Sequence, residues 1–167
     1  MEDLKKHIVA VPNFPKEGIL FYDISPLLEK AFTETIDAMS ALFPAEFWDK
    51  VDVVAGIESR GFLFAAALAY KHGKGTSLIR KAGKLPNPAG KISYGLEYGS
   101  DALEMQRGES NVLIVDDVLA TGGTLAAAAE LCKHTGHTVV GLGVFINLPA
   151  LNDFQWDGMK AKAVFDY

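Results

Sequence analysis

Residues 112–124 read VLIVDDVLATGGT. Val112, Leu113, Ile114 and Val115 are large and apolar without alternation, the pattern of a strand buried on both faces of a parallel sheet. Two carboxylates follow, Asp116 and Asp117, then a turn of small and hydroxylated residues, Ala120-Thr121-Gly122-Gly123-Thr124. A helical run rich in Ala, Leu and Glu starts there, and Gly136 marks its end. A helix N-terminus presents free N–H groups and partial positive charge, so the turn suits a phosphate. Gly122 and Gly123 remove Cβ atoms from the path of an oxyanion, and Thr121 and Thr124 add hydroxyl donors. Asp116 and Asp117 repel that same phosphate, so they face sugar hydroxyls or a divalent cation. A phosphate site beside paired acids points to a phosphorylated sugar. For TGGT taken alone, a plain strand–helix connection is an equal account.

Other motif classes fail on specifics. The turn has no GxxxxGK[ST] and no GxGxxG, so neither a Walker loop nor a dinucleotide fingerprint is present. There is no GxSxG turn for a Ser-His-Asp hydrolase, and no His stands at metal-ligand spacing from Cys or carboxylate. The 167 residues suffice for one domain with its own core. Hydrophobic content of 49% excludes disorder, and a net charge of -5 argues against a nucleic-acid surface. No apolar run is long enough to span a membrane, and the first residues lack a signal-peptide core. The lone cysteine, Cys132, fits a small core residue in a reducing cytosol, so the expected location is cytoplasmic. With no repeat or low-complexity linker, 1–167 reads as a single domain.

Outward from the central stretch, strand patterns alternate with helical ones. Leu4 to Val11 reads as a short helix or extended lead-in, and Pro12 to Gly18 breaks regular structure. Leu20, Phe21 and Tyr22 lie in an apolar run that ends at Ser25-Pro26, a helix N-cap followed by proline. Packing alone accounts for Phe14 and Leu20 to Tyr22; a wall for a flat ligand is the alternative. Phe32, Ile36, Met39 and Phe43 share a helical face, and Pro44 ends that helix. Val51 to Ile57 is a strand leading to Glu58-Ser59-Arg60-Gly61 and an apolar helix stopped by Gly73. Arg60 there serves either as a phosphate clamp or in a surface ion pair with Glu58. Thr76 to Ile79 is a third strand. After it, Arg80, Lys81, Lys84 and Lys91 place four cations in a Gly- and Pro-rich segment, the composition of an anion-binding lid. Ile92 to Met105 reads as a hairpin or arm that carries Glu97, by itself an ordinary solvated carboxylate. Thr138 to Ile146 and Ala161 to Phe165 complete the strands. The expected fold class is α/β, a three-layer domain with a mostly parallel central sheet and right-handed crossovers. The tips at the ends of its strands should converge at one sheet edge.

The thirteen-residue stretch resembles the phosphoribosyl pyrophosphate motif of the type I phosphoribosyltransferases. Four more segments, GILFYDISPLL, GIESRGF, IRKAGKLP and SYGLEYG, in that order and spacing, are similar to the adenine-using branch of that family. The resemblance covers Phe14 to Leu148. It implies the type I fold, with an N-terminal hood over about 1–32 on the base side and a flexible lid or arm over about 81–107. It also implies transfer of phosphoribose from phosphoribosyl pyrophosphate to adenine, giving AMP and pyrophosphate. By that resemblance Ala120, Thr121, Gly122, Gly123 and Thr124 hold the 5-phosphate, and Asp116 and Asp117 the ribose hydroxyls on the Mg²⁺ side. Arg60, Arg80, Lys81 and Lys84 face the pyrophosphate, and Mg²⁺ is held mainly through the substrate. Leu20, Phe21, Tyr22, Val118 and Leu148 line the base pocket, and Glu97 assists removal of the base proton. A homodimer, with no nucleic-acid or membrane partner, is likewise implied. Tyr22, Asn147 and Ala82 depart from the family pattern, and 152–167 matches it loosely. Two other readings remain: a transferase for a 6-oxopurine, and a non-catalytic nucleotide sensor of the same fold.

Overall fold

The computed structural model describes residues 2–96 and 99–167. The chain separates into two compact units, 1–41 and 42–167. The first contains α1 (Glu2–Lys5), an antiparallel pair β1 (Val9–Pro12) and β2 (Leu20–Asp23), then α2 (Ser25–Lys30) and α3 (Phe32–Ser40). The helix start differs from the sequence expectation. Ser25 lies inside α2 rather than capping it; the Asp23 carboxylate accepts from Ser25 N at 2.8 Å and from Ser25 Oγ at 2.6 Å. The aspartate two residues earlier takes the place a capping serine would have, by accepting from both the main chain and the side chain of Ser25. Helix α3 stops at Ser40, short of Phe43 and Pro44. Its Ile36 and Met39 are buried, whereas Phe32 is partly exposed.

The second unit begins with α4 (Ala45–Trp48), for which Pro44 is the residue before the first turn rather than a terminator. It then runs β3 (Val53–Ile57), α5 (Gly61–His72), β4 (Gly75–Lys81), β5 (Gly90–Leu96), β6 (Gly99–Met105), β7 (Asn111–Leu119), α6 (Gly123–His134), β8 (Thr138–Asn147) and β9 (Lys162–Asp166). Seven strands form one sheet in the order β5-β6-β4-β3-β7-β8-β9. From β4 to β9 all pairings are parallel, and the hairpin β5–β6 joins antiparallel through Arg80↔Glu104 and Lys81↔Leu103. The α/β three-layer expectation therefore holds. Chain order explains the layers. The β3–α5–β4 crossover steps one way along the sheet and β7–α6–β8 the other, so right-handed connections put the two helices on opposite faces. Val112 and Ile114 pack with Ala55, Val144 and the α6 residues Ala128, Leu131 and Cys132 in one core cluster. Leu113 and Val115, pointing the other way along the strand, are equally buried.

Two glycines in β8 are needed for packing. A Cβ on Gly141 would lie 2.6 Å from the Phe47 ring and one on Gly143 3.2 Å from Phe43, so the aromatic cluster before β3 seats directly on bare backbone. Helix α5 ends at Gly73 in the left-handed region, φ 63°, as the sequence predicts. Cys132 is fully buried, and that burial pushes its thiol up to about 12, in keeping with an inert core residue.

Candidate active site

The direction of the crossovers reverses between β3 and β7, and these two strands are neighbours. A crevice opens outside the carboxyl ends of strands at such a point. Its walls come from the tip beyond β3, the end of β7 and the hairpin. A cleft of about 570 Å³ is lined there by Glu58, Ser59, Arg60, Lys81, Tyr94, Asp101, Asp116, Asp117 and Thr124.

The β3 tip is tight. A Cβ on Gly56 would collide with the Gly61 backbone, and one on Gly61 would stand 2.9 Å from the Val115 carbonyl and 3.0 Å from Asp116 Oδ1. Both glycines let the start of α5 press against the strand ends, which brings Arg60 to the acid pair. Arg60 Nε lies 2.6 Å from Asp117 Oδ2. Asp117 is 5% exposed, and its Oδ2 accepts no aligned hydrogen bond among the described residues. It is an unmet acceptor at the cleft wall, held by charge. Glu58 takes a different cation: its Oε2 lies 3.4 Å from Arg80 Nε and accepts from Lys81 N at 2.9 Å.

At the β7 tip the strand extends further than the apolar run suggests. Asp116 and Asp117 are strand residues, not the turn after it. Asp116 Oδ1 accepts from Asp117 N at 3.0 Å. Burial, with the Asp117 charge second, pushes the Asp116 carboxyl well above the ordinary 3.8. The turn then enters α6 through Gly122, φ 91°. The space left by its missing Cβ is taken by protein, since a Cβ there would stand 2.6 Å from Phe154 Cδ2.

The hairpin supplies the remaining wall. Lys81 Nζ lies 3.2 Å from Asp101 Oδ2. Burial raises the Asp101 carboxyl, but the Ala102 N–H and Lys81 outweigh it and hold the group below 3.8. Tyr94 faces Thr124, with which it shares a side-chain hydrogen bond; burial is the larger influence and raises its phenol above 10.0.

Of the residues singled out in the sequence, Arg60, Lys81, Asp116, Asp117 and Thr124 share this cleft. Thr121, Gly122 and Gly123 line an adjoining hollow with Asn152 and Phe154. Arg80 reaches Glu58 and the Lys84 carbonyl, at 3.3 Å from Nη1, and Lys84 itself is exposed. Val118 and Leu148 are half-buried at the ends of β7 and β8. Leu20, Phe21 and Tyr22 belong to the first unit, where Phe14 meets Phe21 edge-on at 5.1 Å. Glu97 lies outside the described residues. Asp101 as a cleft wall, and Asn152 and Phe154 behind the turn, are additions that the sequence motifs do not disclose; Tyr94 lies in the SYGLEYG segment, but nothing in that segment marks it as a wall. They arrive through tertiary contacts, although an Asn two residues before a backbone N–H it can cap is a weak local signal for Asn152.

The phosphoribosyl transferase domain profile matches residues 26–158. An adenine phosphoribosyltransferase from Hydrogenovibrio crunogenus is 55% identical over 98% of this chain and 96% of its own length. The chain belongs to the adenine phosphoribosyltransferase family. Family members of known structure agree. The enzyme from Thermoanaerobacter pseudethanolicus superposes with a TM-score of 0.87 at 37% identity, covering 99% of both chains. That from Saccharomyces cerevisiae, complexed with D-2,5-dideoxy-2,5-imino-altritol 1,6-bisphosphate and adenine, gives 0.87 at 38%, covering 98% of this chain and 97% of its own.

The charge balance of the cleft bears on a metal. Four carboxylates, Glu58, Asp101, Asp116 and Asp117, face two cations, Arg60 and Lys81. A polyanionic substrate entering such a site needs additional positive charge. Among the described residues no cluster of three or more metal-ligating side chains stands ready. The donor set fits a divalent ion that shares its ligands with substrate and water, with Asp116 and Asp117 nearby.

Proposed function

We propose that the protein transfers the phosphoribosyl group of phosphoribosyl pyrophosphate to adenine, releasing AMP and pyrophosphate in purine salvage. The observation that carries this is the meeting of Arg60, Lys81, Asp116, Asp117 and Thr124 in one cleft at the β3/β7 reversal, in a chain of this family. The turn into α6, from Ala120 to Thr124, receives the 5-phosphate through backbone N–H groups and hydroxyls. Asp116 and Asp117 accept from the ribose hydroxyls, and those donors favour the ionised form of Asp116. Arg60, Arg80 and Lys81 exchange their carboxylate or carbonyl partners for the pyrophosphate oxygens, and exposed Lys84 joins them. A substrate-bound Mg²⁺ beside Asp116 and Asp117 would supply positive charge to the departing pyrophosphate.

At the anomeric carbon the bond to the pyrophosphate oxygen breaks as the bond to the purine nitrogen forms, through an oxocarbenium-like state. The base gives up its ring proton and Glu97 assists its removal, a role supported by family resemblance. Contacts to the base are assigned, on family resemblance, to Leu20, Phe21, Tyr22, Val118 and Leu148. The β5–β6 hairpin excludes water, which would otherwise hydrolyse the activated sugar. Residues 1–167 act as one functional domain, as a homodimer in the cytoplasm. No helix among the described residues is long and apolar enough to cross a membrane.

The test incubates the protein with phosphoribosyl pyrophosphate, Mg²⁺ and each purine separately, and measures nucleotide and pyrophosphate. AMP from adenine, at a kcat/KM well above that of any other purine, is expected. Preferred turnover of hypoxanthine, guanine or xanthine would overturn the base assignment, and binding without turnover would make the protein a sensor.

A further inference from the structure

The segment after β8 carries no part of the recognised motifs, yet it touches the phosphate turn at two points. Asn152 is half-buried behind that turn. Its Nδ2 lies 2.6 Å from the Ala120 carbonyl oxygen, 2.9 Å from that of Leu148 and 3.2 Å from Asn147 Oδ1. The two amide hydrogens serve the two shorter contacts, and the third is shared. At the other end of the same side chain, Oδ1 accepts from Phe154 N at 3.1 Å. This sets the amide orientation. Reversed, Oδ1 would face three oxygens and the Phe154 N–H would lose its acceptor. Asn147 continues the chain outward, donating from Nδ2 to Asp166 Oδ1 at 2.8 Å, so the network reaches the last strand.

We infer that Asn152 is a positioning residue for the phosphate turn: it pins the Ala120 carbonyl to the end of β8 and sets Phe154 over Gly122. The peptide unit is planar, so holding the Ala120 carbonyl also fixes the opposed Thr121 N–H. That N–H is one of the donors assigned to the phosphate. The Phe154 ring occupies the space where a Cβ on Gly122 would sit. One side chain thereby constrains two consecutive parts of a turn whose glycines would otherwise leave it many conformations. Preorganised donors bind an anion more tightly than donors that must first be ordered.

This inference rests on the proposed phosphate role of 120–124, and the experiment separates the two. KM for phosphoribosyl pyrophosphate, KM for adenine, kcat and Tm are measured for Asn152→Asp, Asn152→Ala and Thr124→Val. Ribose 5-phosphate binding is measured by calorimetry on the same proteins. Asn152→Asp keeps the shape but turns an acceptor toward the carbonyls. It is expected to raise KM for the phosphosugar about tenfold or more, with a parallel loss of ribose 5-phosphate affinity and KM for adenine within about twofold. Asn152→Ala, expected to fold even if the aspartate variant does not, shows the same split at smaller size. Unchanged phosphosugar affinity in both Asn152 variants, with Thr124→Val impaired, overturns the positioning role and leaves the phosphate turn standing. Unchanged affinity in all three overturns the phosphate turn itself. Equal rises in both KM values with a large fall in Tm mean general loosening, and likewise overturn the inference.

Discussion

The two strand–turn–helix tips that meet in the cleft are built in opposite ways. The β3 tip is closed by its own backbone: Gly56 and Gly61 abut each other and the end of β7, and no room remains for even a methyl group at Gly56. The β7 tip has a left-handed glycine, φ 91° at Gly122, and is steadied by residues about thirty positions later. The first delivers a charged side chain, so rigidity of the main chain is enough. The second delivers main-chain N–H groups, so the main chain must be open to a ligand on one side and supported on the other. A site can need both kinds of precision, and only the first can be supplied locally.

The comparison breaks most visibly if the acids of the β7 tip are removed. Asp116→Asn combined with Asp117→Asn is expected to raise KM for the phosphosugar by about 100-fold or more, since bonds to a charged acceptor each count for about 10–100-fold. Steady-state kinetics with saturating adenine measure it, and near-normal affinity would remove the sugar from this tip. Next in size is Glu97→Gln, expected to lower turnover about 100-fold with modest change in either KM. Pre-steady-state product formation checks that the chemical step is the one slowed. At the β3 tip the loss should appear in stability instead. Gly56→Ala must push backbone against backbone and is expected to cost roughly 1–3 kcal/mol, read as a lower Tm without ligand.

The smallest effect sharpens the electrostatics. Asp116 has its folded-state pKa raised above 3.8, chiefly by burial. Its protonated form therefore favours folding below 3.8, and that contribution is lost as pH rises through the raised value. Asp116→Asn should raise the Tm of the ligand-free protein near neutral pH by a few degrees, with the gain vanishing in acid. Melting curves across pH decide it, and a gain that grows in acid would reverse the sign assigned here.

Most of the architecture is legible in the sequence because it rests on local chemistry. Unbroken apolar runs mark buried strands, Gly73 and Gly136 mark helix ends, and strand–helix alternation gives the layers. The limits fall where neighbours in space decide. The β7 strand continues through Asp116 and Asp117 because Val118↔Ile146 and Leu119↔Asn147 still pair, which the residue types conceal. Sequence proximity offers Glu58 as the partner of Arg60, but Arg60 meets Asp117, brought close by the Gly61 contact. At Gly122 the residue type suggests room for an anion, and the fold also fills that room with Phe154. Asn152 carries no periodic signal at all, since its partners come from two strand ends.

The cations assigned to the pyrophosphate are, with the exception of exposed Lys84, already paired before anything enters the cleft. Arg60 sits on Asp117, Arg80 on Glu58 and Lys81 on Asp101. An arriving polyphosphate thus has to displace Asp117, Glu58 and Asp101 at close range from three of the four cations assigned to it. Capture by such swapping depends little on long-range attraction, so the association rate should vary weakly with ionic strength compared with a site of naked lysines and arginines.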